Sequence, residues 1–343
     1  MQNATPNSRT VGMRRRQILG VGGLARLSLW QNTMGRNATR AATKQTQKMP
    51  YIPPVSVTTA SGIRIHGVQT AWIAIKTAHY ALCSPEALRF FLILTDAHWT
   101  EAKPVLSWII EHPEGLIVID SGERAAARDL ERYFSCVDPV NRFILTRNFR
   151  VHSTPQMELG SQLERLNLSP REVRYVVQTH LHFDHADGFA AVPKAKVLVA
   201  RAEIKGHARM PLGAVSCTRP PNLEFVPVDY RSGSYASFGA HHPLTRAGDV
   251  LLVPTHGHSY GHQSVVLRDL HHDYLFAGDV TFDEGQLERR TLGGISHDLN
   301  LARDSLERTR KFVQSQKVVY LPSHDPDSLE RLAQTQETRF KGD

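Results

Sequence analysis

Four residues within a six-residue window, His180, His182, Asp184 and His185, carry side chains that ligate transition metals. They stand in Thr179-His180-Leu181-His182-Phe183-Asp184-His185, directly after the apolar stretch 173–179, which reads as a buried strand. Side chains repeat every two residues along an extended segment, so His180 and His182 point the same way. Asp184 and His185 add a carboxylate and a further imidazole one step on. Imidazole nitrogen and carboxylate oxygen are the donors that zinc, manganese, iron and cobalt take. Packing gives no reason for four such groups so close together. Histidine is also concentrated here, with 14 of the 18 at or beyond His152.

Three later segments repeat the arrangement, each at the end of an apolar run: Thr255-His256-Gly257-His258-Ser259-Tyr260-Gly261-His262, Leu275-Phe276-Ala277-Gly278-Asp279 and Pro322-Ser323-His324-Asp325. Upstream, Asp120-Ser121-Gly122 closes another apolar run. In this order over roughly 105–325, the motifs resemble the metallo-β-lactamase superfamily, whose HxHxDH signature is His180-x-His182-x-Asp184-His185 here. The resemblance implies an α/β fold, a four-layer αβ/βα sandwich of two mixed sheets flanked by helices. It also implies two divalent metal ions, zinc first, with iron, manganese or cobalt as substitutes. One takes His180, His182 and His258, the other Asp184, His185 and His324, and Asp279 is shared. Asp120 and His262 support ligands without ligating. His256 replaces the usual proline, and spacing favours His258 over it. Cations about 3.5–4 Å apart hold a bridging hydroxide that attacks a carbonyl. Asp184 is then the catalytic residue, orienting that hydroxide and moving its proton to the leaving group.

Within the superfamily the chain is most similar to N-acyl-homoserine lactonases. The marks are Glu111-His112-Pro113-Glu114-Gly115-Leu116-Ile117 leading to Asp120, the run His180 to Ala186, and Ser323-His324-Asp325. The resemblance implies opening of the lactone ring of bacterial signalling molecules, which is quorum quenching. Two departures stand out. Phe282 occupies the position of a tyrosine whose phenol polarises the lactone carbonyl, and a phenyl ring cannot donate; it is a candidate substrate-pocket residue. Asp187 stands where a glycine is usual. Alternatives on the same scaffold are hydrolases of other lactones, aryl esters or organophosphates, a glyoxalase II-like thioesterase, and a persulfide dioxygenase with one iron. Metal content separates the last from the rest.

The remaining sequence bounds this reading. The net charge of +8 comes from 41 Lys and Arg against 33 Asp and Glu, and nine of the basic residues fall in 1–50, which has no acidic residue. The body is therefore close to neutral, which argues against a nucleic-acid partner. Arg15-Arg16-x-Ile18-Leu19 before a short Gly-rich apolar run resembles a twin-arginine export signal. Residues 1–45 are expected to be that leader and 46–343 a single hydrolase domain, periplasmic or secreted. No stretch is long and uncharged enough for stable membrane insertion. Cys83, Cys136 and Cys217 are far apart in sequence and read as three inert thiols. The expected partner is a small lactone or ester; a homodimer stays open. Apolar runs predict strands at 107–110, 116–119, 173–179, 196–200, 250–254, 264–267, 274–278 and 317–321, with helices at 156–166 and 299–313 and a capping-box turn at 169–172. Loops from roughly 51–104 and 205–248 are expected to shape the substrate pocket.

Overall fold

The computed structural model describes residues 49–207 and 223–340, so the basic leader and Cys217 lie outside the described residues. The first sheet holds β1 (Val55–Thr58), β2 (Arg64–Ile75), β3 (Lys103–His112), β4 (Gly115–Ile119), β5 (Phe149–His152), β6 (Val173–Val177), β7 (Lys196–Ala200) and β8 (Phe225–Val228). Its order is β1-β2-β3-β4-β6-β7-β8, with β5 also paired to β2. The second sheet holds β9 (His242–Pro243), β10 (Val250–Pro254), β11 (Gln263–Leu267), β12 (Asp273–Gly278) and β13 (Val318–Pro322), in the order β13-β12-β11-β10-β9. Both sheets are mixed. β4, β6, β7 and β8 run parallel, as do β12 and β13, and the other pairings are antiparallel.

The sheets face each other through Leu106, Trp108, Ile110, Ile117, Ile119 and Val177 on one side and Leu252, Val265, Leu267, Phe276, Val319 and Leu321 on the other. Outside the first sheet, Leu159 and Leu163 of the helix Leu159–Arg165 cover Val118, Val176 and Val197. Outside the second, the helix Leu299–Ser315 lays Leu306, Phe312 and Val313 on Leu251, Val266, Leu275 and Val318. The layers are helix, sheet, sheet, helix, as expected for the αβ/βα sandwich. Strands covered on both faces carry apolar side chains at successive positions, which is why they read as continuous apolar runs. Burying each such Leu or Phe is worth about 1.5–3 kcal/mol.

Segment 51–104 differs from expectation. It is not loop alone, because β1 and the twelve-residue β2 occupy its first part. Buried polar residues interrupt the apolar run of β2, and each finds a partner. His66 meets Ser56 Oγ at 2.6 Å and Glu111 Oε1 at 2.7 Å, and the Gln69 amide donates to the Ala71 carbonyl at 3.2 Å. Within 205–248, β8 and β9 are strands, and none of the described residues there lines the cavity beside the candidate metal site. The turn at 169–172 is a short 3-10 helix, Pro170–Glu172, in which Ser169 accepts from the Arg171 amide and not in capping-box fashion. The three-thiol reading also needs correction, since Cys136 is disulfide-bonded and Cys83 is free. Bridging requires Cα atoms about 4.4–6.8 Å apart, a distance that separation along the chain does not reveal.

Candidate metal centre

Five chain segments end at one edge of the sandwich. Asp120 follows β4 and the run His180–His185 follows β6, while Asp279 follows β12 and His324 follows β13. Each pair of strands is parallel, so their carboxyl ends lie together, and sites in α/β sheets form outside those ends. His258 arrives on the loop between β10 and β11. Gly257 makes that loop fit. Its φ is +128°, and a Cβ there would sit 2.1 Å from the Ala302 amide nitrogen.

The donors gather in two groups. His180, His182, His258 and Asp279 each offer an atom within 4.8 Å of the others, and so do Asp184, His185 and His324. In the first group, His182 Nδ1 lies 2.8 Å from His180 Nε2 and 3.0 Å from His258 Nε2. Asp279 turns one oxygen to each group. Oδ2 is 3.4 Å from His258 Nε2 and 4.0 Å from His180 Nε2; Oδ1 is 3.4 Å from both His185 Nε2 and His324 Nε2. Asp184 Oδ2 stands 3.4 Å from His324 Nε2 and 3.7 Å from His185 Nε2. Donors around a tetrahedral cation at 2.0–2.1 Å are about 3.3 Å apart, so these spacings suit metal ions of zinc size. Asp279 Oδ1 is buried without a hydrogen-bond donor, which a cation would remedy.

Surrounding groups fix which nitrogen of each ring carries its lone pair. Asp120, held at φ +58°, accepts from the Thr179 amide at 2.7 Å, from the Thr179 hydroxyl at 2.9 Å and from His185 Nδ1 at 2.8 Å. Having donated its own proton to Asp120, the Thr179 hydroxyl accepts from His180 Nδ1 at 3.0 Å. His324 Nδ1 donates to the Pro104 carbonyl at 3.0 Å. All three rings thus aim Nε2 into the site, the arrangement metal-binding histidines use. His262 does the reverse. Its Nε2 accepts from the Asp279 amide at 2.9 Å and its Nδ1 meets Thr255 Oγ1 at 2.9 Å, so it supports the backbone of Asp279.

The electrostatics match. Burial, aided by neighbouring imidazoles, holds His180 and His258 well below the usual histidine range, keeping their lone pairs free. Burial also opposes charge on His185 and His324, but the carboxylates of Asp279 and Asp184 outweigh it, and His324 is pushed up to about 9. Despite its burial, Asp279 is held well below the usual carboxylate range by His324 and His185. The second group is a negative basket that rewards positive charge.

A cavity reaches both groups. Ile73, Ile75, Phe149, Phe183, Phe282 and Ile295 form its apolar wall, and His79 and Lys103 are its polar residues beyond the metal-binding candidates. Phe282 is thus a pocket residue, its ring 5.7 Å from that of His324. His256 stands apart, its Nδ1 3.1 Å from the His262 carbonyl. Away from the site, His271 is exposed, His241, His242 and His272 are half-buried, and His242 belongs to β9. Sequence reasoning missed Glu203, which is fully buried in the helix Arg201–His207. One oxygen accepts from the Leu181 amide at 3.0 Å, the other from the Ser259 hydroxyl at 2.8 Å and the Gly261 amide at 2.7 Å. It ties together the two loops that carry His180, His182 and His258. A lone Glu in a helical stretch gave no signal of this.

Comparison with known proteins agrees with this geometry. The family model described as metallo-beta-lactamase superfamily matches residues 100–324. An N-acyl homoserine lactonase of a Bacillus species is 26% identical over 223 residues, 65% of this chain and 81% of the relative. A probable metallo-hydrolase of Mycobacterium tuberculosis is 29% identical over 250 residues, 64% of this chain and 71% of the relative. Among solved structures, a variant of Bacillus thuringiensis AiiA with N-decanoyl-L-homoserine at its active site superposes with a TM-score of 0.62 at 19% identity, over 85% of this chain and 99% of that one. The dizinc lactonase AidC gives 0.52 at 14% identity, over 80% and 91%. At these identities the superpositions speak for the fold. On the match of the family model and the ordered His/Asp motifs, the chain belongs to the metallo-beta-lactamase superfamily and is a metal-dependent hydrolase of that fold.

Proposed function

We propose that this enzyme opens lactone rings, N-acyl-homoserine lactones first among them, using two divalent cations, zinc by preference. The observation that carries the reading is the division of Asp279 between two donor groups at the floor of a largely apolar cavity. Curated relatives at 25–26% identity that are named N-acyl homoserine lactonases support the choice of substrate. His180, His182 and His258 would hold one cation, Asp184, His185 and His324 the other, with Asp279 between them. A bound pair supplies Lewis acidity, polarising a carbonyl and lowering the pKa of water.

The chain's own residues do the rest. Asp184 lines the cavity and is only 7% exposed, so its free oxygen can take a proton from water and return it to the leaving alkoxide. The wall formed by Ile73, Ile75, Phe149 and Ile295 excludes water and accepts acyl carbons. The test is a ring-opening assay of metal-analysed protein against acyl-homoserine lactones, simple lactones and aryl esters. Two metals per chain with acyl-homoserine lactone turnover is the expected outcome. Turnover of aryl esters alone, or a single redox-active iron, overturns the reading. The paired arginines support delivery to the periplasm, and a disulfide at Cys136 suits an oxidising compartment. Cell fractionation with Arg15 and Arg16 replaced by Lys tests this, export being expected to fail.

A further inference from the structure

The cavity has an imbalance between its polar supply and what its substrate needs. An ester or lactone brings oxygens that lose water on entry, and leaving one unpaired weakens binding. The wall offers almost nothing in return. Phe282, Phe149, Phe183 and the isoleucines have no donor. Lys103 also lines the cavity, but its ammonium lies 3.3 Å from the Asp283 carboxylate and 4.7 Å from the centre of the Tyr80 ring. Tyr80, stacked on Phe282 with ring centroids 5.8 Å apart, spends its hydroxyl on the same carboxylate.

His79 is different. It belongs to the short helix Thr77–Tyr80, is 5% exposed, and faces the cavity beside Phe282, 6.2 Å away between ring centroids. Its ring packs edge-on against Phe149 at 5.3 Å. Its Nδ1 is buried and has no hydrogen-bond partner. A buried polar atom without a partner is rare enough to demand an explanation. The backbone holds the residue in place without help from the ring, because the His79 carbonyl accepts from the Gly294 amide at 2.9 Å. Burial and the nearby His182 push the imidazole down to about 3, so it stays neutral, with one N–H and one lone pair.

We propose that His79 is a substrate-contacting residue whose imidazole N–H donates to an oxygen of the bound ester or lactone, holding the substrate between the apolar wall and the His/Asp groups. The proposal rests on the hydrolase reading given above, because it needs a neutral, oxygen-bearing substrate in this cavity. It selects for uncharged esters. The ring is neutral, and the cationic group of the cavity is already paired.

The experiment compares the metal-loaded full chain with His79→Phe and His79→Gln. Phe keeps the ring volume without a donor, whereas the Gln amide can still donate. Metal content, thermal midpoint, kcat/KM for a six-carbon N-acyl homoserine lactone and for γ-butyrolactone, and calorimetric affinity for the ring-opened product are measured on all three. His79→Phe should keep its metal and its midpoint while kcat/KM and product affinity fall about 10- to 100-fold. His79→Gln should recover part of that loss. A loss confined to the acylated lactone places the contact at the acyl amide; a loss on both places it at the ring ester. Wild-type kcat/KM and product affinity in His79→Phe overturn the assignment, and so does equal loss in Phe and Gln together with lost metal. Absence of any lactone or ester turnover by the wild type overturns the hydrolase reading itself.

Discussion

Asp120 accepts a hydrogen bond from Nδ1 of His185 at 2.8 Å, from a backbone held in the left-handed region at φ +58°. All the polar groups that Asp120 meets are donors, since the Thr179 amide and hydroxyl share the same carboxylate. Asp120→Asn places an NH2 against one of them. The His185 ring loses its orientation, and metal affinity should fall about 10- to 100-fold, as for other supports of metal-binding histidines. Competition against a chromophoric chelator measures this, and unchanged affinity would show that the contact is idle.

Glu203 gives a second, separable prediction. Three donors on two loops converge on its carboxylate, and a Gln side chain offers one acceptor where two are used. Glu203→Gln should lose about 1–3 kcal/mol of stability. It should also release metal more readily from the group containing His180, His182 and His258. Denaturant unfolding of the metal-free protein isolates the first effect and metal analysis after dialysis reads the second. A variant with full stability and full metal content contradicts both.

Gly257 is a backbone prediction. A side chain there meets the Ala302 amide at 2.1 Å and forces a non-glycine residue to φ +128°. Strain of this kind costs about 1–3 kcal/mol, and the chain relieves it by moving the loop. Gly257→Ala should therefore lower the thermal midpoint and displace His258, with loss of one metal. A variant that keeps its midpoint and two metals refutes this.

The pH dependence of stability follows from Glu123. This side chain is fully buried, accepting from the Tyr133 hydroxyl at 2.9 Å and the Arg124 amide at 2.8 Å through one oxygen, while the other lacks a hydrogen-bond partner. Burial, then the charge of Asp187, raises its carboxyl well above the usual range. Above the unfolded value near pH ~4.3, the unfolded chain has released this proton and the folded chain keeps it. Its contribution therefore falls as pH rises, by about 1.4 kcal/mol per unit until the folded group ionises. Glu123→Gln has no such proton, so its stability relative to wild type should rise between pH 5 and pH 8. Denaturant unfolding of metal-free protein at both values tests it, and a flat difference contradicts it.

The strands and their termini were legible because both faces of most of them are covered. Such strands read as unbroken apolar runs, and the runs at 196–200 and 250–254 coincide with β7 and β10. What escaped was β2, where buried His66, Gln69 and Thr70 interrupt the run. His66 and Thr70 are tolerated because partners from β1 and β3 satisfy them, and Gln69 because it bonds the Ile52 amide and the Ala71 carbonyl; most of these partners are invisible locally.

The same division holds at the site. Residue types and local spacing determined that His180, His182, Asp184 and His185 leave a strand together, because adjacent residues have few ways to be apart. The order of the later motifs, through their resemblance to the metallo-β-lactamase superfamily, added His258, Asp279 and His324. Tertiary structure decided which donors face each other, that Asp279 divides its oxygens, and that Glu203 clamps two loops. It also decided that His79, unremarked in sequence, lines the cavity with an unpartnered nitrogen. The physical reason is common to all of these. Hydrogen bonds and close packing act over a few ångströms in space, whatever the distance along the chain, and only folding brings β2, β6, β12 and β13 to one edge.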